Sequence, residues 1–356
     1  MSVPPFGVGI RAIGRYIPER VVTNDELAAR LPTTSAWIHE HIGVETRRMA
    51  ASDEWSSDLG AHALVDACGQ AGITPDQVDL VICGTFTPDL MLPSTAVAIM
   101  RKAGMAGGAG FDVNSGGCPG GVFALDVGRR YVQSGEYARV AVVLTDVNSK
   151  AFDPEDRTIG VIFGDAAACY LLERTRAGRG VRRVTLRTEP AGYWTAYVAR
   201  EVRLDADGRP KASAFGENFT TMEGREIRDF VLGTLPKFIE SFVRDQGLEV
   251  ADIDFFALHQ ANLRLVHGVL DTLGVPLSKT LTNIERIGNT SGASLPLVLR
   301  EAMDAGRLRA GQRAVLVAFG AGLNYGAALV DWSAPDDFAR PAPLHSEIVR
   351  PPDRLG

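Results

Sequence analysis

The run Phe111-Asp112-Val113-Asn114-Ser115-Gly116-Gly117-Cys118-Pro119-Gly120-Gly121-Val122-Phe123-Ala124-Leu125-Asp126-Val127-Gly128 changes pattern twice. A short apolar strand ends near Asn114. A glycine-rich turn follows, and from Val122 the residues Val122, Leu125 and Val127 begin an apolar helical pattern. Cys118 falls where that helix should start. Pro119 suits the first helical turn, because its missing N–H would be unpaired there anyway. A thiol at a helix N-terminus meets unpaired backbone N–H groups and the positive end of the helix dipole, and both favour the nucleophilic thiolate. Glycines on both sides give a bulky group room to reach the sulfur. The plainer reading is a small buried cysteine in a tight turn, and two later segments bear on the choice.

Outward from this stretch the elements alternate. Strand-like runs include Gly7–Ile13, Leu80–Gly84, Val140–Leu144, Ala167–Leu172, Phe255–Leu258, Ala314–Phe319 and Gly326–Val330. Helix-like runs include Asn24–Arg30, Ser57–Gln70, Val122–Ser134, Gly224–Asp245, Leu263–Leu273 and Leu295–Ala305. Such alternation predicts mixed sheets covered by helices, an α/β class. The two halves also echo each other. Gln70-Ala71-Gly72-Ile73 leads into Val78-Asp79-Leu80-Val81-Ile82, and Gln246-Gly247-Leu248 leads into Ile253-Asp254-Phe255-Phe256-Ala257. Arg139-Val140-Ala141-Val142-Val143 is matched by Arg313-Ala314-Val315-Leu316-Val317 at almost the same offset. A glycine-rich turn entering a helix lies between the members of each pair. We read two copies of one α/β unit about a pseudo-twofold axis: residues 1–180, residues 181–332, and a Pro-rich surface tail over 333–356. Residues 189–219 stand outside the repeat as a long excursion.

Composition sets outer limits. The chain has 356 residues, 46% hydrophobic and 22% charged, which is ordinary for a globular protein with room for two cores. Its 37 basic and 43 acidic residues are scattered, so no nucleic-acid footprint shows. Cys68, Cys83, Cys118 and Cys169 have no paired spacing, which argues against a metal site or a disulfide framework. Cys68, Cys83 and Cys169 lie in apolar runs and read as core. The N-terminus lacks a signal-peptide pattern, and no apolar run reaches a membrane-spanning length. The expected location is therefore cytoplasmic, where a free thiol persists.

Two segments supply partners for Cys118. His259 follows the apolar strand Phe255–Leu258, at the C-terminal edge where open α/β sheets hold ligands. Asn289 lies in Gly288-Asn289-Thr290-Ser291-Gly292-Ala293-Ser294, the turn that the repeat sets opposite the Cys118 turn. Asn289 also suits a helix N-cap, a role that Ser291 or Ser294 can fill instead. A thiol facing an imidazole and a carboxamide suits acyl chemistry, with the two donors holding developing negative charge. Phe319-Gly320-Ala321-Gly322-Leu323-Asn324-Tyr325-Gly326 is a glycine turn between strands, either a tight hairpin or a source of oxyanion-holding N–H groups. Gly7–Gly14 fails the spacing of a dinucleotide loop.

The motifs GGCPGG, LHQANLR, GNTSGAS and FGAGLNYG, in this order, resemble the thiolase superfamily and, more closely, the β-ketoacyl-(acyl-carrier-protein) synthase III family. TSAWIHEHIGVETRR and FDPEDRTIGVIFGDAA also match, and the resemblance runs from about Gly7 to Trp332. It implies a thiolase-like fold, a five-layer αβαβα sandwich. It implies that Cys118 takes an acyl group from acyl-CoA, used as substrate with no permanently bound cofactor and no metal. His259 and Asn289 would then promote decarboxylation of malonyl-acyl-carrier protein, and the enolate would attack the Cys118 thioester. The oxyanion hole would use N–H groups of Cys118 and of the Gly320–Ala321 turn. Trp37 and Arg157 match positions that hold the CoA adenine. Asn262 matches a pantetheine-tunnel position, and Arg264 a basic residue at the mouth that meets the acidic carrier protein. The family is homodimeric, and Leu92 stands where a partner side chain caps the acyl pocket.

Several positions depart from the family. His41 replaces a basic CoA contact, and Arg228 an apolar or aromatic residue near the adenine. Gly116-Gly117 replaces small alanines, and Leu92 a common Phe. The 189–219 excursion is long. These departures suggest a specialised relative serving secondary metabolism. The alternatives are an acyltransferase on the same fold that moves its acyl group without loss of CO₂, and a non-catalytic subunit. Asn rather than Asp at 289 favours condensation, because a carboxylate would repel an enolate and would suit a general-base His instead.

Overall fold

The structure is a computed structural model and describes residues 6–114, 117–198 and 219–338. Two sheets organise it. The first runs in the order Phe6–Tyr16, Ala166–Arg176, Arg139–Asp146, Leu80–Gly84, Ala109–Val113. Its first two pairings are antiparallel and its last two parallel. The second runs Phe255–Leu258, Arg313–Gly320, Asn324–Asp331, Gly180–Thr188. It begins parallel and continues antiparallel. The order and sense of Leu80–Gly84, Arg139–Asp146, Ala166–Arg176 and Phe6–Tyr16 are those of the four strands of the second sheet. The echo in the sequence is thus a duplication of one folding unit.

Five layers follow from which faces are apolar. Leu80–Gly84 and Phe255–Leu258 are buried at every position. Such strands have no polar face to give to water, so both sides of each sheet must be covered. The helices Gly120–Ser134 and Ser294–Asp304 fill the space between the sheets. Ser56–Ala71 and Thr95–Lys102 cover the outside of the first sheet, and Gly224–Arg244 and Leu263–Thr272 the outside of the second. Both central helices turn apolar residues to the core, and Ser294–Asp304 does so nearly all round its first turns: Leu295, Leu297, Val298 and Leu299 are all at most 1% exposed. They also approach closely. A Cβ on Gly121 would stand 2.9 Å from Leu295 Cβ.

Expectation and structure differ at two places. Helix Gly120–Ser134 begins two residues before the expected run Val122–Ser134, yet Pro119 is its N-cap, so Cys118 precedes the helix rather than opening it. The tail expected from residue 333 is packed up to Phe338. Asp337 pairs with Arg176 at 2.7 Å and is buried, and Gly9 has no Cβ, which leaves room for the Phe338 ring. The rest of the tail, residues 199–218 of the excursion, and Ser115 and Gly116 lie outside the described residues. No described helix is long and apolar enough to cross a membrane.

Candidate active site

The turn before the first central helix places Cys118. Gly117 has φ +68°, and a Cβ there would lie 2.7 Å from Phe86 Cδ1 and 2.8 Å from Ser291 Oγ. Only glycine fits that backbone and that gap. Gly320, ending the strand Arg313–Gly320, presses on the same spot: its Cβ would be 2.5 Å from Pro119 Cδ and 2.8 Å from Cys118 Cβ. The backbone of the Gly320–Ala321 turn therefore runs directly against the cysteine. Cys118 keeps a partly exposed surface toward a cavity of about 540 Å³. Thr85, Phe86, Cys118, Phe152, Phe163, Tyr197, Met222, His259, Asn289, Phe319, Gly320, Ala321 and Leu323 are among the residues lining it.

The second half delivers the partners. His259 N–H donates to Val317 O at 2.8 Å, which continues the pairing of Phe255–Leu258 with Arg313–Gly320. The ring is 1% exposed and stands edge-on to Phe319 with centroids 5.2 Å apart. Burial pushes its pKa down to about 3, so the imidazole is neutral at physiological pH. Nδ1 lies 2.6 Å from Ser294 Oγ, and that oxygen already accepts the Gln260 N–H at 3.3 Å. The serine proton is then best used on Nδ1, which assigns the remaining ring proton to Nε2. Nε2 has no protein partner among the described residues.

Asn289 is fixed from both sides of its backbone. Its N–H donates to Ile162 O at 3.0 Å, and its carbonyl accepts Gly164 N–H at 3.0 Å. Oδ1 accepts the Ser291 N–H at 2.9 Å. The carboxamide oxygen is thereby occupied, and the amide nitrogen is left to act on the Cys118 sulfur. Asn289 is therefore no side-chain cap for Ser294–Asp304. Neither serine is one either, since that helix has no side-chain cap at all.

The thiol itself corrects an expectation. Burial pushes Cys118 up to about 12, against the opposing hydrogen bonds of Ser291 and Asn289. Removing the sulfur from water outweighs the turn's favourable N–H groups, so the resting group is a thiol. Cys68, Cys83 and Cys169 are free and buried, as expected of core residues.

The positions matched to CoA gather on one exposed rim outside the cavity lining. Trp37 stacks on His41 with centroids 4.6 Å apart, and the Arg157 guanidinium lies 5.9 Å from the Trp37 ring. Asn262 caps the helix Leu263–Thr272 by accepting the Arg264 N–H at 2.8 Å and donates to His41 O at 3.1 Å. Arg264 Nε donates to Glu40 O at 2.9 Å. Arg228 pairs with Asp229 on the surface. Leu92 is 86% exposed and turns away from the cavity that its neighbours Leu90 and Met91 line.

Sequence reading missed Ser291, Ser294 and Asp146. Asp146 ends the buried strand Arg139–Asp146, so the sheet-edge rule that found His259 applies to it equally. The two serines stood inside a motif already singled out, hidden behind a capping role.

Comparison with known proteins agrees with this geometry. The family model described as 3-oxoacyl-[acyl-carrier-protein (ACP)] synthase III matches residues 111–190, and that of its C-terminal part matches residues 243–332. The β-ketoacyl-[acyl-carrier-protein] synthase III of Deinococcus deserti is 38% identical over 93% of this chain and 93% of its own length. The solved synthase III of Thermus thermophilus superposes with a TM-score of 0.84 at 37% identity, covering 91% of this chain and 99% of that one. The priming β-ketosynthase from the R1128 polyketide biosynthetic pathway superposes with a TM-score of 0.83 at 28% identity, covering 94% of this chain and 99% of its own. The chain belongs to the β-ketoacyl-[acyl-carrier-protein] synthase III family of thiolase-fold condensing enzymes.

Proposed function

We propose that this protein loads an acyl group from acyl-CoA onto Cys118 and extends it by decarboxylative condensation with malonyl-acyl-carrier protein. One observation carries the reading: a thiol, an imidazole with a free Nε2 and a carboxamide with its oxygen already occupied line one cavity. His259 is partnered by the Ser294 hydroxyl and not by a carboxylate, so it and Asn289 act as two donors, which suit an enolate better than they suit activation of water or alcohol.

In the first half-reaction the Cys118 sulfur attacks the thioester carbonyl and CoA leaves. The tetrahedral oxyanion lies against the Cys118 N–H and the backbone of Gly320 and Ala321. In the second, the malonyl thioester oxygen accepts hydrogen bonds from His259 Nε2 and the Asn289 amide. CO₂ departs, and its electron pair becomes the enolate that these donors hold. The enolate carbon attacks the acyl carbon on Cys118, the C–S bond breaks, and a 3-oxoacyl product two carbons longer is released. His259 can serve as donor because burial keeps it neutral and Ser294 sets its tautomer.

Trp37, His41 and Arg157 present a flat, cationic rim suited to the CoA adenine and phosphates. Arg264, beside Asn262 at the same rim, suits an acidic carrier protein. The exposed apolar run Leu90-Met91-Leu92 suits the face of a second copy of this chain. The products belong to fatty-acid or polyketide-type synthesis, in the cytoplasm. The test is to expose the enzyme to a panel of acyl-CoAs, weigh the intact protein, then add malonyl-carrier protein and measure CO₂. An adduct on Cys118, stoichiometric CO₂ and a two-carbon-longer product are expected. An adduct without CO₂ would leave only the acyl-transfer reading.

A further inference from the structure

Acyl loading requires Cys118 to lose its proton, and the groups of the proposed condensation do not take it. Asn289 is a donor, and His259 Nε2 carries the proton that the enolate needs. The Cys118 thiol turns elsewhere: it donates to Ser291 Oγ at 3.9 Å. Ser291 has φ +55° and is the only non-glycine residue at positive φ among the described residues. Such a backbone costs on the order of 1–3 kcal/mol and persists where the surroundings impose it. Here the Asn289 side chain holds the Ser291 N–H, and the missing Cβ of Gly117 leaves the hydroxyl its place.

Asp146 lies behind Ser291 and is 1% exposed. Its Oδ1 is saturated, accepting from Thr85 Oγ1 at 2.9 Å, Phe86 N–H at 2.9 Å and Thr87 Oγ1 at 3.2 Å. Its Oδ2 closes no hydrogen bond with any described residue. The Ser291 hydroxyl stands close enough to favour the charged form of this carboxylate but stops short of a closed hydrogen bond to Oδ2. Cys83 on the adjoining strand and Cys118 both feel the Asp146 charge, and Cys83 feels two further carboxylates. Asp89 is occupied by Ser57 N–H, and Asp112 by the Thr95 and Ala96 N–H groups. A buried carboxylate with one fully served oxygen and one empty oxygen is arranged to receive something.

We propose that Asp146, acting through the Ser291 hydroxyl, receives the Cys118 proton during acyl loading and returns it after condensation. The S–H bond breaks as Ser291 Oγ takes that proton and passes its own to Asp146 Oδ2. The sulfur forms its bond to the acyl carbon, and the C–S bond to CoA breaks with the electron pair leaving on CoA, which is protonated by solvent. When the enolate expels the Cys118 sulfur, the proton on Asp146 returns along the same two steps. Burial raises Asp146 to about 6, which makes it a stronger base than an ordinary carboxylate and leaves it charged at neutral pH. Asp146 is a positioning and proton-holding residue behind Ser291. It does not touch the acyl group.

This rests on Cys118 being the acyl acceptor, and the experiment separates the two readings. Single-turnover loading with acyl-CoA alone is followed by intact mass from pH 5 to pH 9 for wild type, Asp146→Asn and Ser291→Gly. The second variant removes the hydroxyl and relieves the positive φ, so unfolding cannot explain its loss. Wild-type loading should level off above about pH 6–7, where the Asp146 carboxylate is ionised. Both variants should load ~10²-fold more slowly at pH 7 and keep accelerating to pH 9, as hydroxide takes over. Infrared difference spectra of loaded minus free wild type should show a new protonated-carboxyl band that Asp146→Asn lacks. Unchanged rates and pH profiles in both variants would overturn the proton path while leaving Cys118 as nucleophile. No adduct on wild-type Cys118 with any acyl-CoA would overturn the underlying reading instead.

Discussion

Replacing Asn289 by Asp tests the division of labour in the cavity with almost no change of shape. The Ser291 N–H that now bonds Asn289 Oδ1 at 2.9 Å finds an equivalent oxygen in Asp, so the turn survives. The amide nitrogen becomes a second carboxylate oxygen, and two effects follow for the enolate. Loss of one aimed donor costs on the order of 10²–10³ in rate. The new charge about 4 Å from the enolate oxygen adds repulsion of up to ~4 kcal/mol at an effective dielectric near 20. Asn289 is only 3% exposed, so solvent does little to relieve this. Condensation should fall by ~10³ or more. In the proposed mechanism loading of Cys118 uses Gly320 and the Cys118 N–H, and feels the substitution only through a thiol held further toward its protonated form. Its loss should stay near tenfold, about one pKa unit of extra bias. Stopped-flow loading with acyl-CoA and CO₂ release from malonyl-carrier protein read the two steps separately. Equal losses in both would refute the assignment of Asn289 to the enolate.

Three further expectations come from the same geometry. Ser294→Ala removes the group that fixes the His259 tautomer. It should cost ~1–3 kcal/mol of stability by leaving Nδ1 buried and unpaired and slow condensation more than loading, measured by denaturant titration and the two-step assay. Gly320→Ala forces a Cβ to within 2.8 Å of Cys118 Cβ. A displacement of the sulfur by about 1 Å should cut loading ~10²-fold, checked by intact-mass kinetics. Stability against pH should be steered by His259. Its folded pKa of about 3 lies below the unfolded value, so the unfolded chain binds more protons between about pH 3 and 6.5, and His259 stabilises the fold as pH rises through that window. Asp146, raised to about 6, opposes this between about pH 4 and 6 with the smaller shift. Melting temperatures of His259→Gln should therefore rise less steeply than wild type from pH 4 to 6.5, and an unchanged slope would contradict the assignment.

The strands were legible because they are apolar at successive positions. Leu80–Gly84 and Phe255–Leu258 appear in the structure with the bounds their sequence suggests. The duplication was legible for the same reason, since each copy must bury the same faces. Cys118, His259 and Asn289 could be found because each follows a strand or precedes a helix at a glycine-rich turn, where backbone geometry restricts what can stand. The roles of Ser291, Ser294 and Asp146 were not legible. A serine before a helix reads as a cap, and whether its hydroxyl instead meets His259 or Cys118 depends on how the two halves pack.

Local rules also gave the wrong sign for the thiol. The sequence by itself determined that Cys118 stands at the mouth of a helix, among glycines, in a duplicated α/β chain. The repeat set the second half opposite the first, but how completely that half takes the site out of water was decided only by the tertiary structure, and that closure decides the protonation states. Taking the sulfur, the imidazole and the Asp146 carboxylate out of water moves all three toward their neutral forms. Desolvation is a property of the surrounding volume, and that volume is filled by residues distant along the chain, such as Thr85 at Asp146, Phe319 at His259 and Ser291 at Cys118.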